Sequence, residues 1–149
     1  MLEVETPLLS QGTVPDPGID VFSLPGEGDE PDRYLQTSPE SAMKRLLAAG
    51  AGDIFQICKA FREGEAGRYH NPEFTLLEWY RVGWGHAALM REVAELLGIV
   101  LKSDGWQIWP YRALFIELLG IDPLDEQTSL SRFTHLAQSR IGAVPDSLD

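Results

Sequence analysis

Four residues in the middle of the chain could together bind an anionic nucleotide and a cationic amino acid. Arg62 ends one alternating segment, and Phe74, Glu78 and Tyr80 recur at even spacings along the next. A guanidinium can hold a phosphate or carboxylate through two hydrogen bonds, an aromatic ring can stack on a purine, and a carboxylate beside a phenol can receive an ammonium group. Taken singly, each residue also has an ordinary interpretation as a surface charge or a core side chain.

Two predicted strands must bring these side chains to one face. Residues 53–62 and 73–82 alternate apolar and polar side chains, as half-buried strands do. Residues 63–72, which include His70 and Asn71, fit the loop of a long antiparallel hairpin. Alternate side chains of a strand point to the same side, so we expect the four residues to share a face. A plain core-facing strand would be uniformly apolar, and this mixed face is therefore a candidate binding surface.

The rest of the chain predicts an α+β fold. Residues 2–9 are typical of an extended strand followed by a long loop rich in Pro and Gly, and residues 33–37 of a short strand. A helix should then begin with Ser38 as N-cap, Pro39 at the first helical position and Glu40 in the first turn. Helical periodicity predicts further helices from His86 onward, over residues 112–120 and over residues 129–141. A mainly antiparallel sheet with helices to one side follows.

The charge balance limits what the whole surface could bind. The 149 residues carry 12 Lys and Arg against 23 Asp and Glu, a formal charge of −11, which disfavours a surface that follows nucleic-acid phosphates throughout. Half of the basic residues lie in the middle of the chain: Lys44, Arg45, Lys59, Arg62, Arg68 and Arg81. An anionic small molecule could bind there, and solvated surface charges are the alternative interpretation.

Several other site types have no support in the sequence. Cys58 is the only cysteine, which excludes an internal disulfide and a Cys-based zinc site, and without an evident base beside it Cys58 is better explained as a small strand residue than as a catalytic thiol. Residues 49–52 lack Gly-x-Gly-x-x-Gly spacing, and no Walker A sequence occurs. No run approaches the roughly 20 apolar residues of a membrane span, so we expect a cytoplasmic protein without a membrane segment.

Longer stretches of the chain resemble a known family. The run from Phe61-Arg62 through His70-Asn71-Pro72-Glu73-Phe74-Thr75 to Glu78-Trp79-Tyr80 resembles motif 2 of class II aminoacyl-tRNA synthetases in its lysine-type form. Residues 37–47 resemble the amino-acid-binding segment of that family, and residues 2–7 resemble the end of its motif 1. The resemblance fades beyond about Leu97.

Within the lysine branch, two short segments distinguish lysyl-tRNA synthetases from ligases that modify a protein. Gly67-Arg68-Tyr69-His70 and Glu78-Trp79-Tyr80-Arg81 are more similar to the ligases that attach (R)-β-lysine to a lysine of elongation factor P than to lysyl-tRNA synthetases. The resemblance therefore implies a ligase that forms an adenylate of lysine or (R)-β-lysine from ATP with Mg²⁺ and then modifies elongation factor P. A lysyl-tRNA synthetase core with tRNA-Lys as acceptor, or a non-catalytic binding module, are the alternatives.

The family resemblance also implies roles for individual residues. Arg62 would be catalytic, placed between the α-phosphate and the substrate carboxylate. The implied contacts to the amino acid are Ser38, Pro39, Glu40, Glu78 and Tyr80. The implied contacts to ATP are Arg62, Glu63, Gly64, His70, Asn71 and Phe74. No metal ligand is implied in this chain, and the full-length form should be a homodimer in the cytoplasm.

The sequence departs from the family pattern in two respects. Gly64 stands where the family places an ATP-contacting Glu, and either neighbouring acid, Glu63 or Glu65, could take over that contact. The Gly-rich motif 3 and the helix of motif 1 have no counterpart. We therefore expect residues 1–149 to form a partial catalytic core that is silent alone, with self-association or partial disorder in residues 110–149.

Overall fold

The fold is α+β, as predicted. A computed structural model describes residues 1–102, 105–126 and 128–141, whose strands form two three-stranded sheets. The strands are β1 (Leu2–Glu3), β2 (Leu9–Ser10), β3 (Ser23–Leu24), β4 (Arg33–Leu35), β5 (Ile54–Phe61) and β6 (Glu73–Tyr80). The helices are α1 (Glu40–Ala48), α2 (His86–Leu101), α3 (Tyr111–Leu119) and α4 (Leu130–Ile141). No helix in these described ranges combines the length and apolar character needed to span a membrane.

The long hairpin of β5 and β6 is confirmed. The two strands pair antiparallel from Ile54 opposite Tyr80 to Phe61 opposite Glu73. The backbone N–H of Arg62 donates to the carbonyl of Pro72 at 2.9 Å and extends the pairing by one step. Strand β1 lies parallel to β5 on its other side, which gives the sheet order β1-β5-β6. The hairpin is therefore the frame on which the predicted site residues are placed.

The prediction of one strand over residues 2–9 is wrong. This stretch divides into β1 and β2, which belong to different sheets. Pro7 lies between them, and because it has no backbone N–H it cannot donate to a continuing ladder. The second sheet has the order β2-β4-β3, with both neighbours antiparallel to β4, and β3 lies within the segment predicted as loop.

Helix α1 starts one residue later than its sequence pattern predicts. Pro39, with φ −75° and ψ 3°, occupies the N-cap position that was predicted for Ser38. The Ser38 hydroxyl still accepts a hydrogen bond of 3.1 Å from the N–H of Glu40, so it satisfies one of the free donors of the first turn. Met43 on this helix is fully buried and anchors it to the core.

The chain separates into two compact units, residues 1–93 and residues 94–149, with α2 crossing the division. In the first unit the buried residues include the apolar Met43, Ile54 and Ala60 and the polar Thr6, Gln36, Thr37 and Gln56. The buried amide of Gln56 accepts a hydrogen bond of 3.1 Å from Thr6, and that of Gln36 donates to the Lys59 carbonyl at 2.8 Å. Because these amides are paired, burying them beside the hairpin costs less than burying unpaired polar groups.

The second unit contains the predicted C-terminal helices, each within one residue of its expected start. Helix α3 ends at Gly120, whose φ of 64° supplies the left-handed residue that commonly terminates a helix. Arg112 on α3 binds the Asp122 carboxylate through both Nε and Nη2. The expectation of disorder in residues 110–149 concerns in part residues 127 and 142–149, which lie outside the described residues.

Candidate functional site

The hairpin register brings the predicted site residues to one face. Glu78 lies opposite Gln56, Phe74 opposite Ala60 and Tyr80 opposite Ile54, so the three β6 side chains point to the same side of the sheet. The Arg62 guanidinium lies over the Phe74 ring, 5.1 Å from its centroid. The predicted shared face is therefore confirmed.

Glu78 is the centre of a hydrogen-bonded group at one end of this face. Ser38 Oγ donates to Glu78 Oε2 at 2.6 Å, and Tyr80 Oη donates to Glu78 Oε1 at 2.7 Å. Both donors are neutral, and no Lys, Arg or His in the described ranges forms an ion pair with Glu78. The half-buried carboxylate is thus fixed in position with its charge available to a cationic group.

Tyr80 is held in its protonated, donating form. Burial raises its pKa well above the usual value, and the hydrogen bond to Glu78 and the negative charges of Glu78 and Glu40 raise it further. Ionisation to a phenolate would be opposed both by burial and by the negative charges of these carboxylates. Tyr80 therefore orients Glu78 over the whole physiological pH range.

The other predicted substrate contacts, Pro39 and Glu40, directly follow Ser38 at the start of α1. Pro39 is fully buried, so its place in the fold is to fix the chain between Ser38 and the helix. Glu40 is exposed and forms an ion pair with Lys44 one turn later. The structure thus joins Ser38, Glu78 and Tyr80 by hydrogen bonds, while Glu40 acts on them through its charge.

Arg62 has an unused donor. Its Nη1 is 3.7 Å from Glu65 Oε1, a loose ion pair, while its Nε is buried and has no hydrogen-bond partner among the described residues. Buried polar groups without a partner are uncommon, because each one costs the hydrogen bond it had with water. An anionic ligand over Phe74 would supply the acceptor.

The loop between the strands turns on Gly64 and Gly67. Gly64 has a φ of 77°, in the left-handed region, and Gly67 and His70 exchange backbone hydrogen bonds across the tip. Of the two acids beside Gly64, Glu65 is half-buried and faces Arg62, whereas Glu63 is exposed. This geometry favours Glu65 over Glu63 as the acid beside Arg62.

His70 and Asn71 lie exposed at the tip of the same loop, and neither side chain is hydrogen-bonded to another described residue. The structure does not connect them to Arg62 or Phe74. Arg68 stacks over Tyr69 at 5.0 Å beside them. The described residues also include no group of three or more His, Cys, Asp or Glu that could hold a metal ion.

Sequence reasoning missed a charged network on the opposite face of the hairpin. Arg81 binds Asp53 through Nη1 at 3.1 Å and Glu92 through Nε at 2.9 Å, and Trp79 also donates to Glu92 at 3.0 Å. Strand alternation does place Trp79 and Arg81 together on that face. Their partner Glu92 lies on a helix more than ten residues later, and local patterns do not reveal such a contact.

The fold of the described residues is of the class II synthetase type. The crystal structure of asparaginyl-tRNA synthetase from Pyrococcus horikoshii complexed with asparaginyl-adenylate superposes with a TM-score of 0.58 over 68% of this chain and 23% of that one. At 24% identity this likeness shows the fold alone. The family model for class II tRNA synthetases (D, K and N) matches residues 1–107, and the chain belongs to this family.

Curated relatives narrow the comparison to one branch. The chain is 50% identical over 129 residues to the elongation factor P–(R)-β-lysine ligase of Photobacterium profundum, with 84% of this chain and 40% of the relative covered. It is 50% identical over 131 residues to the ligase of the same name in Vibrio cholerae, covering 85% and 40%. For that of Pseudoalteromonas translucida the identity is 50% over 141 residues, covering 92% and 43%. The chain therefore spans about 40% of the length of these relatives.

Proposed function

We propose that this chain forms part of the catalytic core of an ATP-dependent ligase that activates lysine or (R)-β-lysine as an adenylate and transfers it to a lysine of elongation factor P. The observation that carries the proposal is the 50% identity to ligases with that name over most of the chain. A cytoplasmic location and a homodimeric full-length form are part of the same proposal.

The arrangement around Glu78 supports a substrate with a terminal ammonium group. An ammonium can donate to both oxygens of a carboxylate that is already held by two neutral donors, and little side-chain freedom remains to be lost on binding. Ser38 and Tyr80 supply those donors at 2.6 and 2.7 Å. A substrate with an apolar side chain would leave the half-buried charge unpaired, which is unfavourable.

The arrangement around Arg62 supports binding of a nucleotide phosphate. Its free Nε is suited to an anionic oxygen, and the Phe74 ring beneath the guanidinium offers a flat apolar surface to a purine. The proposed reaction brings two anions together, the amino-acid carboxylate and the α-phosphate of ATP. A fixed positive charge between them reduces their repulsion and stabilises the charge that develops as pyrophosphate leaves.

The test has two stages. The first, made on the full-length enzyme that contains this chain, is amino-acid-dependent exchange of pyrophosphate into ATP with L-lysine, (R)-β-lysine and L-leucine compared; stimulation by either lysine but not by leucine is expected. The second is transfer of labelled amino acid to elongation factor P or to tRNA-Lys. Label on the protein supports the proposed acceptor, and label on tRNA instead would favour the synthetase alternative. If calorimetry detects no binding of lysine or (R)-β-lysine, the amine site itself is excluded.

A further inference from the structure

Glu92 on α2 connects the side chains on both sides of Tyr80. Trp79 donates its indole N–H to Glu92 Oε2 at 3.0 Å. Arg81 donates from Nε to both oxygens of Glu92, at 2.9 and 3.1 Å, and also from Nη2. One carboxylate therefore binds the residue before and the residue after Tyr80 in the strand.

Strand alternation places this contact behind the amine-binding group. Trp79 and Arg81 point to the face of the hairpin opposite to that of Glu78 and Tyr80. Glu92 thus lies on the far side of the sheet from the proposed substrate. Any influence it has on substrate binding must act through the backbone of β6.

On the β6 side, this end of the hairpin has few other restraints, because among the described strands β1 pairs only with β5 and β6 lies at the edge of the three-stranded sheet. Regular pairing stops at the pair of Ile54 and Tyr80, and Gly83 and Gly85 follow within five residues. Arg81 extends the restraint to the start of β5, because its Nη1 binds Asp53 Oδ2 at 3.1 Å while Asp53 Oδ1 accepts the N–H of Val82 at 2.8 Å. Both strand ends and α2 are joined at this point.

We propose that Glu92 is a positioning residue, which holds Tyr80 at the angle needed to donate to Glu78 and so sets the affinity for the substrate amine. The proposal rests on the proposed function for the amine site. It also makes a claim about β6 that does not depend on any ligand: without Glu92 the Ile54–Tyr80 end of the hairpin opens more often than the Phe61–Glu73 end.

The ligand-free claim is tested by amide hydrogen exchange. In Glu92→Ala we expect exchange at the amides of Ile54 and Tyr80 to be about tenfold faster, with no change at Ala60 and Phe74 near the other end of the hairpin. Glu92→Gln keeps an acceptor for one of the two donors and should give a smaller increase. Glu95→Gln makes the same charge change at an exposed position of the same helix and should leave exchange unaltered.

The functional claim is tested by calorimetry with L-lysine, (R)-β-lysine and ATP. Glu92→Ala should weaken amino-acid binding about tenfold by misplacing the phenol, and leave ATP binding within about twofold. In a Tyr80→Phe background the same substitution should cost much less, since the group through which it acts has been removed. A purely structural role would weaken both ligands alike and add fully to Tyr80→Phe.

The outcomes separate the two proposals. If the wild-type protein binds neither amino acid, the proposed function fails, whatever the amide hydrogen exchange shows. If it binds them and Glu92→Ala binds them equally well, or if exchange at Tyr80 is unchanged in both Glu92 variants, then Glu92 has no positioning role.

Discussion

Tyr80 donates a hydrogen bond of 2.7 Å to Glu78, the residue two positions earlier on the same face of β6. A strand places such side chains side by side, so the pair needs no loop or second element to align it. Ser38, from the start of α1, binds the other carboxylate oxygen at 2.6 Å. The resulting anionic group is rigid before any ligand arrives.

Replacing Glu78 by Gln should strongly weaken recognition of the substrate amine. Gln retains the shape but not the charge, and one of its polar atoms becomes a donor facing a hydroxyl. Loss of a charged hydrogen bond of about 2 kcal/mol corresponds to about thirtyfold weaker binding of lysine or (R)-β-lysine by calorimetry. Glu73→Gln, an exposed change on the same strand, is the control. Equal affinities for the two variants would contradict the assignment of Glu78.

Tyr80 should make the protein less stable at alkaline pH. Its pKa in the folded state lies well above the ordinary value of 10.0 for a tyrosine, so the folded protein keeps a proton that the unfolded chain releases. The stabilisation is complete below pH 10 and is lost as the pH rises from there towards the pKa of the folded state. Tyr80→Phe removes this dependence.

Urea unfolding between neutral pH and pH 11 measures the effect. The unfolding free energy of the wild type should fall more steeply above pH 10 than that of Tyr80→Phe, by at most about 1.4 kcal/mol per pH unit for one proton. Tyr69→Phe, at a side chain that is 80% exposed, should follow the wild type. Parallel curves for wild type and Tyr80→Phe would mean that Tyr80 ionises as readily folded as unfolded.

The hairpin could be predicted from sequence because its information is local. Strict alternation over residues 53–62 and 73–82 determines both the strands and the face that each side chain takes. The pairing of Arg62 with Phe74 follows from the same alternation, once the loop length is known. The pattern alone leaves the roles of these residues open, and the resemblance to a synthetase motif only implies them.

Contacts between distant parts of the chain could not be predicted in this way. The bond between Ser38 and Glu78 joins residues 40 positions apart, and that between Thr6 and Gln56 joins residues 50 apart. The two-residue strands β1, β2 and β3 form because a longer strand offers them a partner, and their own sequences are too short to show a period. Such features depend on the tertiary fold.

The ion network around Arg81 should stabilise the fold at neutral pH and lose this contribution in acid. Hydrogen bonding from the Val82 N–H and then from Arg81 lowers the pKa of Asp53, and hydrogen bonding from Arg81 lowers that of Glu92. For groups with a lowered pKa the stabilisation is present above the unfolded values, 3.8 and 4.5, and is lost as the pH falls through the folded ones. We expect the loss below about pH 4.

Arg81→Gln tests this by urea unfolding at pH 7 and pH 3. The variant should be less stable than the wild type at pH 7, and the difference should shrink at pH 3 because both carboxylates are then protonated. Lys59→Gln, which removes an exposed ion pair of 3.1 Å with Glu73, should change stability little at either pH. A pH-independent effect of Arg81→Gln would point to lost packing on Trp84 instead.

Arg62 should matter for catalysis more than for stability. Its Nε gains no protein hydrogen bond, so removal costs the fold little, while a charge placed at developing anionic oxygen typically contributes about 3 kcal/mol to the barrier. In the full-length enzyme, Arg62→Ala should therefore slow amino-acid-dependent exchange at least about a hundredfold. Arg62→Lys should restore little, because Lys lacks the planar fork. Arg33→Ala, at an exposed position of β4, is the control, and an unchanged rate in Arg62→Ala would remove Arg62 from the mechanism.

Gly64 explains why the acid beside Arg62 has moved along the loop. Its φ of 77° is readily adopted by Gly, and the space around it is open, with nothing within 4 Å of an added Cβ. Placing Glu at this position would therefore cost roughly 1–2 kcal/mol in backbone strain without a steric clash. The next residue, Glu65, directs its carboxylate to Arg62 instead.

Glu65 should consequently contribute to ATP binding, and Glu63 should not. Glu65 is half-buried, with Oε1 3.7 Å from Arg62 Nη1, and the pair restricts the guanidinium to the space above Phe74. Because the pair is partly exposed, its loss should be worth about 1 kcal/mol, or about a fivefold weaker affinity of Glu65→Gln for ATP. Glu63→Gln, an exposed change two residues away, controls for the loss of one negative charge near the triphosphate. Tighter ATP binding in Glu65→Gln would show that the acid only competes with phosphate for Arg62, and equal affinities for both variants would leave neither acid in the site.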